Sequence, residues 1–355
     1  MAKMDEPVNI REGEELDSHK VEAYIRDSLG CHDGSFFIKQ FPSGFSNLTY
    51  MVQAGDKEMV LRRPPFGKKA KTAHDMHREY RILSALHPIF PMAPKPLLYT
   101  EDPEIMGCPF YVMERIQGII LRKNLPKDLV LHPEDAGSLC ENMIRCLHTL
   151  HTIDYKKIGL DGLGKPEGYI RRQVEGWSAR YRDARTSDAP DFEKVMEWLH
   201  DKMPKETDHP GIIHNDYKLD NVVLNPGNLR EISGILDWEM ATIGDPLMDL
   251  GGSLAYWVDR NDSEEHQLMR LLPTTEEGMM TRKELVDYYI QVSGRKIETM
   301  DYYFCFGLFK LAGIAQQIYY RYFHGQTKDK RFAMLIGAVM ILEKVAMKVI
   351  KKSDL

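Results

Sequence analysis

The apolar positions of this chain change period part-way along. Between residues 36 and 114 they fall in short runs set off by turn residues, and residues 36–41, 48–54 and 57–62 predict three strands with tight connections. Pro64-Pro65 closes the third, since proline cannot donate to a ladder. Residues 74–86 then read as a helix with Met76, Tyr80, Leu83 and Leu86 on one face. A proline-rich stretch at 88–96 leads to two further strands, 97–100 and 109–114. Upstream, residues 1–34 are polar with one helix over 18–29. Beyond residue 116 the period turns helical, over about 133–153, 168–185, 191–202, 246–258, 281–294, 301–324 and 331–351. Short strands at 211–213, 222–224 and 232–236 interrupt it. Strands first and helices afterwards predict an α+β protein with segregated lobes. The N-terminal lobe, an antiparallel sheet with one main helix, covers 1–115, and the mostly helical C-terminal lobe covers 116–355.

Composition narrows the class. A chain of 355 residues can bury two cores, and 43% hydrophobic with 28% charged residues is ordinary for a globular protein. The net charge of −6 gives no general reason to expect nucleic acid. It hides an asymmetry: residues 281–355 carry +6 and residues 1–280 carry −12. Five widely spaced cysteines suggest neither a disulfide framework nor a zinc site. The start of the chain lacks an apolar signal core, and the apolar run 333–342 is too short for a bilayer. The expectation is a soluble, cytoplasmic protein without a membrane partner; its oligomeric state is left open.

The candidate chemistry lies in His214-Asn215-Asp216-Tyr217-Lys218-Leu219-Asp220-Asn221 and Leu236-Asp237-Trp238-Glu239. Phosphoryl transfer from ATP needs a carboxylate near the attacking hydroxyl and oxygen ligands that hold Mg2+ against the phosphates. Asp216 can supply the first, and Asn221 with Asp237 the second. The spacing H-x-D-x-x-x-x-N is that of a protein-kinase catalytic loop, and a strand-borne Asp follows it. Lys218 can neutralise charge on the moving phosphoryl group. His214 is read as a brace for the loop.

With these motifs the chain resembles the kinase-like small-molecule phosphotransferases, the aminoglycoside phosphotransferase and choline kinase superfamily. Within it, the chain is similar to the branch whose members occur alone or joined to acyl-CoA dehydrogenase domains. The resemblance runs over roughly 35–330 and implies a protein-kinase-like bilobal fold with ATP and Mg2+ as cofactors. It places a phosphate cover at Ser43, Gly44, Phe45, Ser46 and Asn47, where only one glycine is present. It places Arg62 where a kinase carries its phosphate-pairing lysine, with Glu79 as ion-pair partner. Glu114, Arg115 and Ile116 would form the adenine-binding hinge, and the neighbourhood of Asp249 would brace the catalytic loop.

The implied reaction is transfer of the γ-phosphoryl group to the hydroxyl of a small molecule. An aminoglycoside acceptor calls for acidic residues, and Asp259, Asp262, Glu264 and Glu265 cluster suitably. The basic, aromatic C-terminal region and the arginines at 171, 172, 180, 182 and 185 suit an acceptor with apolar and anionic parts. By default these are core rings and a solvated face. A hydroxylated acyl-CoA fits such a region, and the branch resemblance favours it. The alternatives are an aminoglycoside or amino-alcohol kinase, or a nucleotide-binding regulatory module without turnover.

Overall fold

A computed structural model of the protein describes residues 6–42, 47–65 and 75–355. The chain gathers into two compact units. One contains Met1–Ile120, Pro126–Leu129 and Asn221–Glu239; the other contains Leu121–Leu125, Val130–Asp220 and Met240–Leu355. The units are interleaved in sequence, whereas the change of period suggests a single cut after residue 115.

In the first unit α1 (Ser18–Leu29) precedes β1 (Phe36–Gln40), β2 (Leu48–Ala54) and β3 (Lys57–Arg63). Then come α2 (Met76–Leu86), β4 (Pro96–Thr100), the single turn α3 (Pro103–Met106), β5 (Phe110–Glu114) and β6 (Ile119–Ile120). The sheet order is β1-β2-β3-β5-β4, antiparallel throughout. Side chains alternate faces along a strand. Met59 and Leu61 of β3 therefore join Tyr50, Val52, Phe110 and Val112 in one core, which α1 closes with Val21 and Ile25. The polar leader thus contributes a second packed helix. Its pattern shows only two fully buried apolar positions, too few to announce that role. Arg62 points to the opposite face, where α2 brings Glu79.

The same unit holds β8 (Val222–Asn225) and β9 (Asn228–Ile235), paired in the order β6-β8-β9. Gly234 of β9 leaves room for Ile116, since a Cβ there would sit 2.2 Å from the Ile116 Cδ1 and that side chain would have to shift. Strand β9 ends at Ile235, so Leu236 and Asp237 lie just beyond it rather than inside it.

The second unit contains α4 (Pro133–Thr152), α5 (Tyr169–Ala184), α6 (Glu193–Asp201) and β7 (Gly211–Ile213). It continues through β10 (Thr242–Gly244), α7 (Pro246–Ala255), the single turn α8 (Glu264–Gln267), α9 (Arg282–Ser293), α10 (Asp301–Phe323) and α11 (Leu335–Lys352). Asp245 caps α7 by accepting from the Leu247 amide, with Pro246 at the first helical position. Helix α10 is central, packing on α5, α6, α7 and α11. It approaches α7 closely: a Cβ on Gly307 would lie 2.4 Å from the Gly251 carbonyl oxygen. Most aromatic residues of this region are core, including Tyr289, Tyr302, Tyr303, Phe306 and Phe309. No helix among the described residues is long and apolar enough to cross a membrane.

Candidate active site

Each unit carries candidate functional residues of its own. In the first, Arg62 is nearly enclosed and donates from Nη1 to Glu79 Oε1 at 2.8 Å. Its Nη2 donates to Asp237 Oδ1 at 3.0 Å and lies 3.5 Å from Glu239 Oε2. Burial would push the guanidinium pKa down, but Glu79, followed by Tyr111, Asp237 and Glu239, raises it well above the ordinary value. Burial raises the Glu79 carboxyl, and Arg62 only partly offsets this. A guanidinium does not deprotonate in proteins, so the 2.8 Å contact is read as an ion pair at neutral pH.

Leu236 N–H donates to the Asn221 carbonyl at 2.8 Å, which sets residues 221 and 236 side by side where the hairpin ends. Asp237 follows with a positive φ of 67°, a conformation that side-chain-bearing residues adopt at a cost. Asn221 and Asp237 both offer the oxygen donors that hard cations take. Asn47, the described end of the expected phosphate cover, is buried and donates to Glu239 Oε2 at 2.6 Å. Ser43, Gly44, Phe45 and Ser46 lie outside the described residues. In the expected hinge, Glu114 N–H donates to the Lys95 carbonyl and Arg115 N–H to that of Glu58. The Arg115 guanidinium binds Glu58 at 2.8 Å, and Ile116 packs on Gly234.

In the second unit, Lys218 Nζ donates to both oxygens of Asp216, at 3.0 and 2.9 Å. It also lies 3.8 Å from Asp220 Oδ1 and 4.8 Å from the centre of the Tyr256 ring. Burial would push the Lys218 pKa down; Asp216, then Tyr256 and Asp220, raise it above the usual lysine value. Burial raises that of Asp220, with Lys218 opposing it.

The loop that carries Asp216 is fixed from behind. Asp249, 1% exposed, accepts from the His214 amide at Oδ2 and from the Asn215 amide at Oδ1, both at 2.7 Å. His151 Nε2 lies 3.2 Å from Asp249 Oδ2, and its Nδ1 lies 2.9 Å from the Tyr289 hydroxyl. His151, one of a pair spaced like metal ligands, is thus a core residue. The Asp216 amide donates to His214 Nδ1 at 3.3 Å, which makes His214 a brace within the loop. Asn215 has a φ of 65°. Tyr169 Oη donates to its side chain at 3.2 Å, and Lys310 Nζ donates to its carbonyl at 2.9 Å.

Tyr169, Tyr256 and Lys310 were not singled out by local spacing. Lys310 alone leaves a trace in the sequence, as one cation inside the apolar run Phe306-Gly307-Leu308-Phe309-Lys310-Leu311-Ala312. Three of the four acidic residues of the cluster have basic partners within the protein: Arg282 binds Asp262 at 2.7 Å and lies 3.5 Å from Asp259, and Lys344 binds Glu265 at 3.0 Å.

Among proteins of known sequence, the human acyl-CoA dehydrogenase family member 11 is 32% identical over 346 residues, 95% of this chain and 44% of that protein. The chain therefore spans less than half the length of this curated relative. A solved structure from Ralstonia eutropha, classed as an aminoglycoside phosphotransferase, has 28% identity and a TM-score of 0.81. That similarity covers 96% of this chain and all of the other. Choline kinase from Cryptosporidium parvum shares the fold, with a TM-score of 0.63 at 13% identity over 95% of this chain and 96% of its own. Residues 38–276 match the model of the phosphotransferase enzyme family, and the chain belongs to that family.

Proposed function

We propose that the protein is an ATP-dependent small-molecule kinase that transfers the γ-phosphoryl group to an acceptor hydroxyl, with a hydroxylated acyl-CoA-like molecule as favoured acceptor. The observation that carries this reading is Asp216, a carboxylate held across both oxygens by Lys218 on a loop pinned by Asp249. Asp216 orients the acceptor hydroxyl and takes its proton as the oxygen bonds to the γ-phosphorus. The bond from that phosphorus to its bridging oxygen breaks, and ADP leaves. Lys218, whose pKa is raised, stays charged and stabilises the negative charge that develops. Asn221 and Asp237 would hold Mg2+, which supplies neutralisation of phosphate charge when bound. Arg62, kept charged by Glu79, is suited to phosphate oxygens. The backbone of Glu114, Arg115 and Ile116 would meet adenine through groups other than the Glu114 and Arg115 amides, which are already bonded.

Two observations favour an anionic acceptor over a polycation. Of the acidic residues that could meet an aminoglycoside, Asp259 and Asp262 lie against Arg282 and Glu265 against Lys344. The catalytic-loop neighbourhood of the second unit carries Lys218 and Arg180, the latter stacked on Trp177. A cytoplasmic site of action accompanies this reading, and all five cysteines are unpaired and buried. The experiment is release of ADP from MgATP in the presence of hydroxyacyl-CoAs, hydroxy acids, amino alcohols and aminoglycosides in turn. Turnover with hydroxyacyl-CoAs supports the proposal, and turnover confined to aminoglycosides refutes its acceptor.

Asp237→Ala should weaken MgATP binding by about tenfold or more while adenosine binding changes little, because one of two hard oxygen ligands is lost. Equal losses in calorimetry for both ligands would contradict the metal assignment.

Arg62→Lys gives up the planar fork that serves Glu79 and Asp237 together, so activity should fall rather than rise. Arg62→Ala should raise the KM for ATP by about tenfold or more, as expected for a charged hydrogen bond worth about 1.5–3 kcal/mol. ATP kinetics unchanged by Arg62→Ala would remove Arg62 from the phosphate site.

A further inference from the structure

Helix α10 is a core helix: Phe309 and Ala312 are fully buried on either side of Lys310 along the chain. Lys310 is itself partly buried, and withdrawing an ammonium from water is unfavourable unless it finds a partner. Burial pushes the Lys310 pKa down, Asp216 and Asp249 oppose the shift, and Lys218 and Arg180 reinforce it. A methionine of similar length would pack without that cost. What the lysine provides is one bond, from Nζ to the carbonyl oxygen of Asn215 at 2.9 Å.

That carbonyl belongs to the peptide joining Asn215 to Asp216. Asn215 holds the left-handed conformation, with φ 65°, that a residue bearing a Cβ adopts only when its surroundings enforce it. Four groups do so. Asp249 accepts from its amide, Tyr169 donates to its side-chain oxygen, and its side-chain nitrogen donates to the Met240 carbonyl at 3.1 Å. Lys310 is the one that holds the carbonyl. The other polar atom of the same peptide, the Asp216 amide, donates to His214 Nδ1 at 3.3 Å, so the peptide plane before Asp216 is held at both its carbonyl and its amide, which resists any rotation that would redirect the Asp216 Cα–Cβ bond.

We propose that Lys310 is a positioning residue for phosphoryl transfer: its ammonium locks the 215–216 peptide from α10 and so aims the Asp216 carboxylate. This rests on the proposed role of Asp216. It adds a contribution from a helix almost a hundred residues downstream of the motif. The lock acts on the chemical step and leaves nucleotide affinity alone. A displacement of about 1 Å at a catalytic group can cost about 10²-fold in rate.

The test compares wild type with Lys310→Met, Lys310→Arg and Asp216→Asn in the full chain. Backbone hydrogen exchange is read at residues 214–217, and MgATP turnover is read with hydroxyacyl-CoAs and with water as acceptors. Lys310→Met should speed exchange at Asn215 and Asp216 about tenfold or more. It should lower kcat by about 10–10²-fold while the KM for ATP stays within about twofold. Lys310→Arg, which keeps the cation, should recover most of kcat. Wild-type exchange at 214–217 in Lys310→Met overturns the proposal, and so does an arginine variant as impaired as the methionine one. Unchanged turnover in Asp216→Asn would instead refute the role of Asp216, while the exchange experiment still decides whether Lys310 locks the loop.

Discussion

Asp216→Asn is expected to lower kcat by about 10²–10⁴-fold, the range by which positioned bases typically contribute. The substitution keeps the shape of the side chain and removes its charge and basicity. Lys218 would then face an amide where it now meets two carboxylate oxygens at 3.0 and 2.9 Å. Affinity for MgATP should stay within about twofold, because Arg62, Asn221 and Asp237 belong to the other unit. Steady-state kinetics with calorimetry of nucleotide binding checks both halves. A variant keeping more than about a tenth of wild-type kcat would show that another group takes the proton.

Asp249→Asn should unfold more readily and turn over more slowly at once. The wild-type carboxylate accepts from the His214 and Asn215 amides on different oxygens, and His151 approaches the oxygen that His214 also uses. An asparagine offers one acceptor oxygen, and its NH2 would confront an amide donor. Removing one partner from a buried charged network typically costs about 3–5 kcal/mol. The pH behaviour has a definite sign. Burial would raise the Asp249 pKa, yet the His151 and His214 contacts outweigh burial and leave it below the ordinary carboxylate value. Its contribution to stability is therefore present above the unfolded pKa of about 3.9 and lost as pH falls through the lower, folded value. Thermal melts of the two proteins should differ most near neutrality and converge in acid. A constant difference from neutral pH to strong acid would show that Asp249 acts through its shape rather than its charge.

Local pattern determined most of the elements and marked the candidate site motifs. Strand β2 falls on the short apolar run that suggested it, with the element order of the kinase-like resemblance as support, and the helix start at Asp245-Pro246 follows from capping chemistry alone. Such features depend on residues a few positions apart, so they can be read from a string of letters. The spacing of Asp216, Lys218, Asn221 and Asp237 is legible for the same reason: a loop between short strands fixes the separation of its side chains. The two-residue β6 and three-residue β10 escaped, because so few positions carry no period.

Tertiary structure decided which distant residues meet. Alternation along β3 put Arg62 on one face, but only the packing of α2 brought Glu79 within 2.8 Å. Likewise, the grouping of residues 221–239 with the first unit is a matter of sheet pairing across a hundred residues. In the acidic cluster near residue 260, only the fold shows Arg282 against Asp259 and Asp262, and Lys344 against Glu265. Lys310 carries no motif, and its bond to Asn215 arises because α10 is buried among the helices that surround the catalytic loop of its unit. Spacing conveys what backbone geometry enforces over one or two turns. Partnership across a fold depends on how whole elements pack, which no local period records.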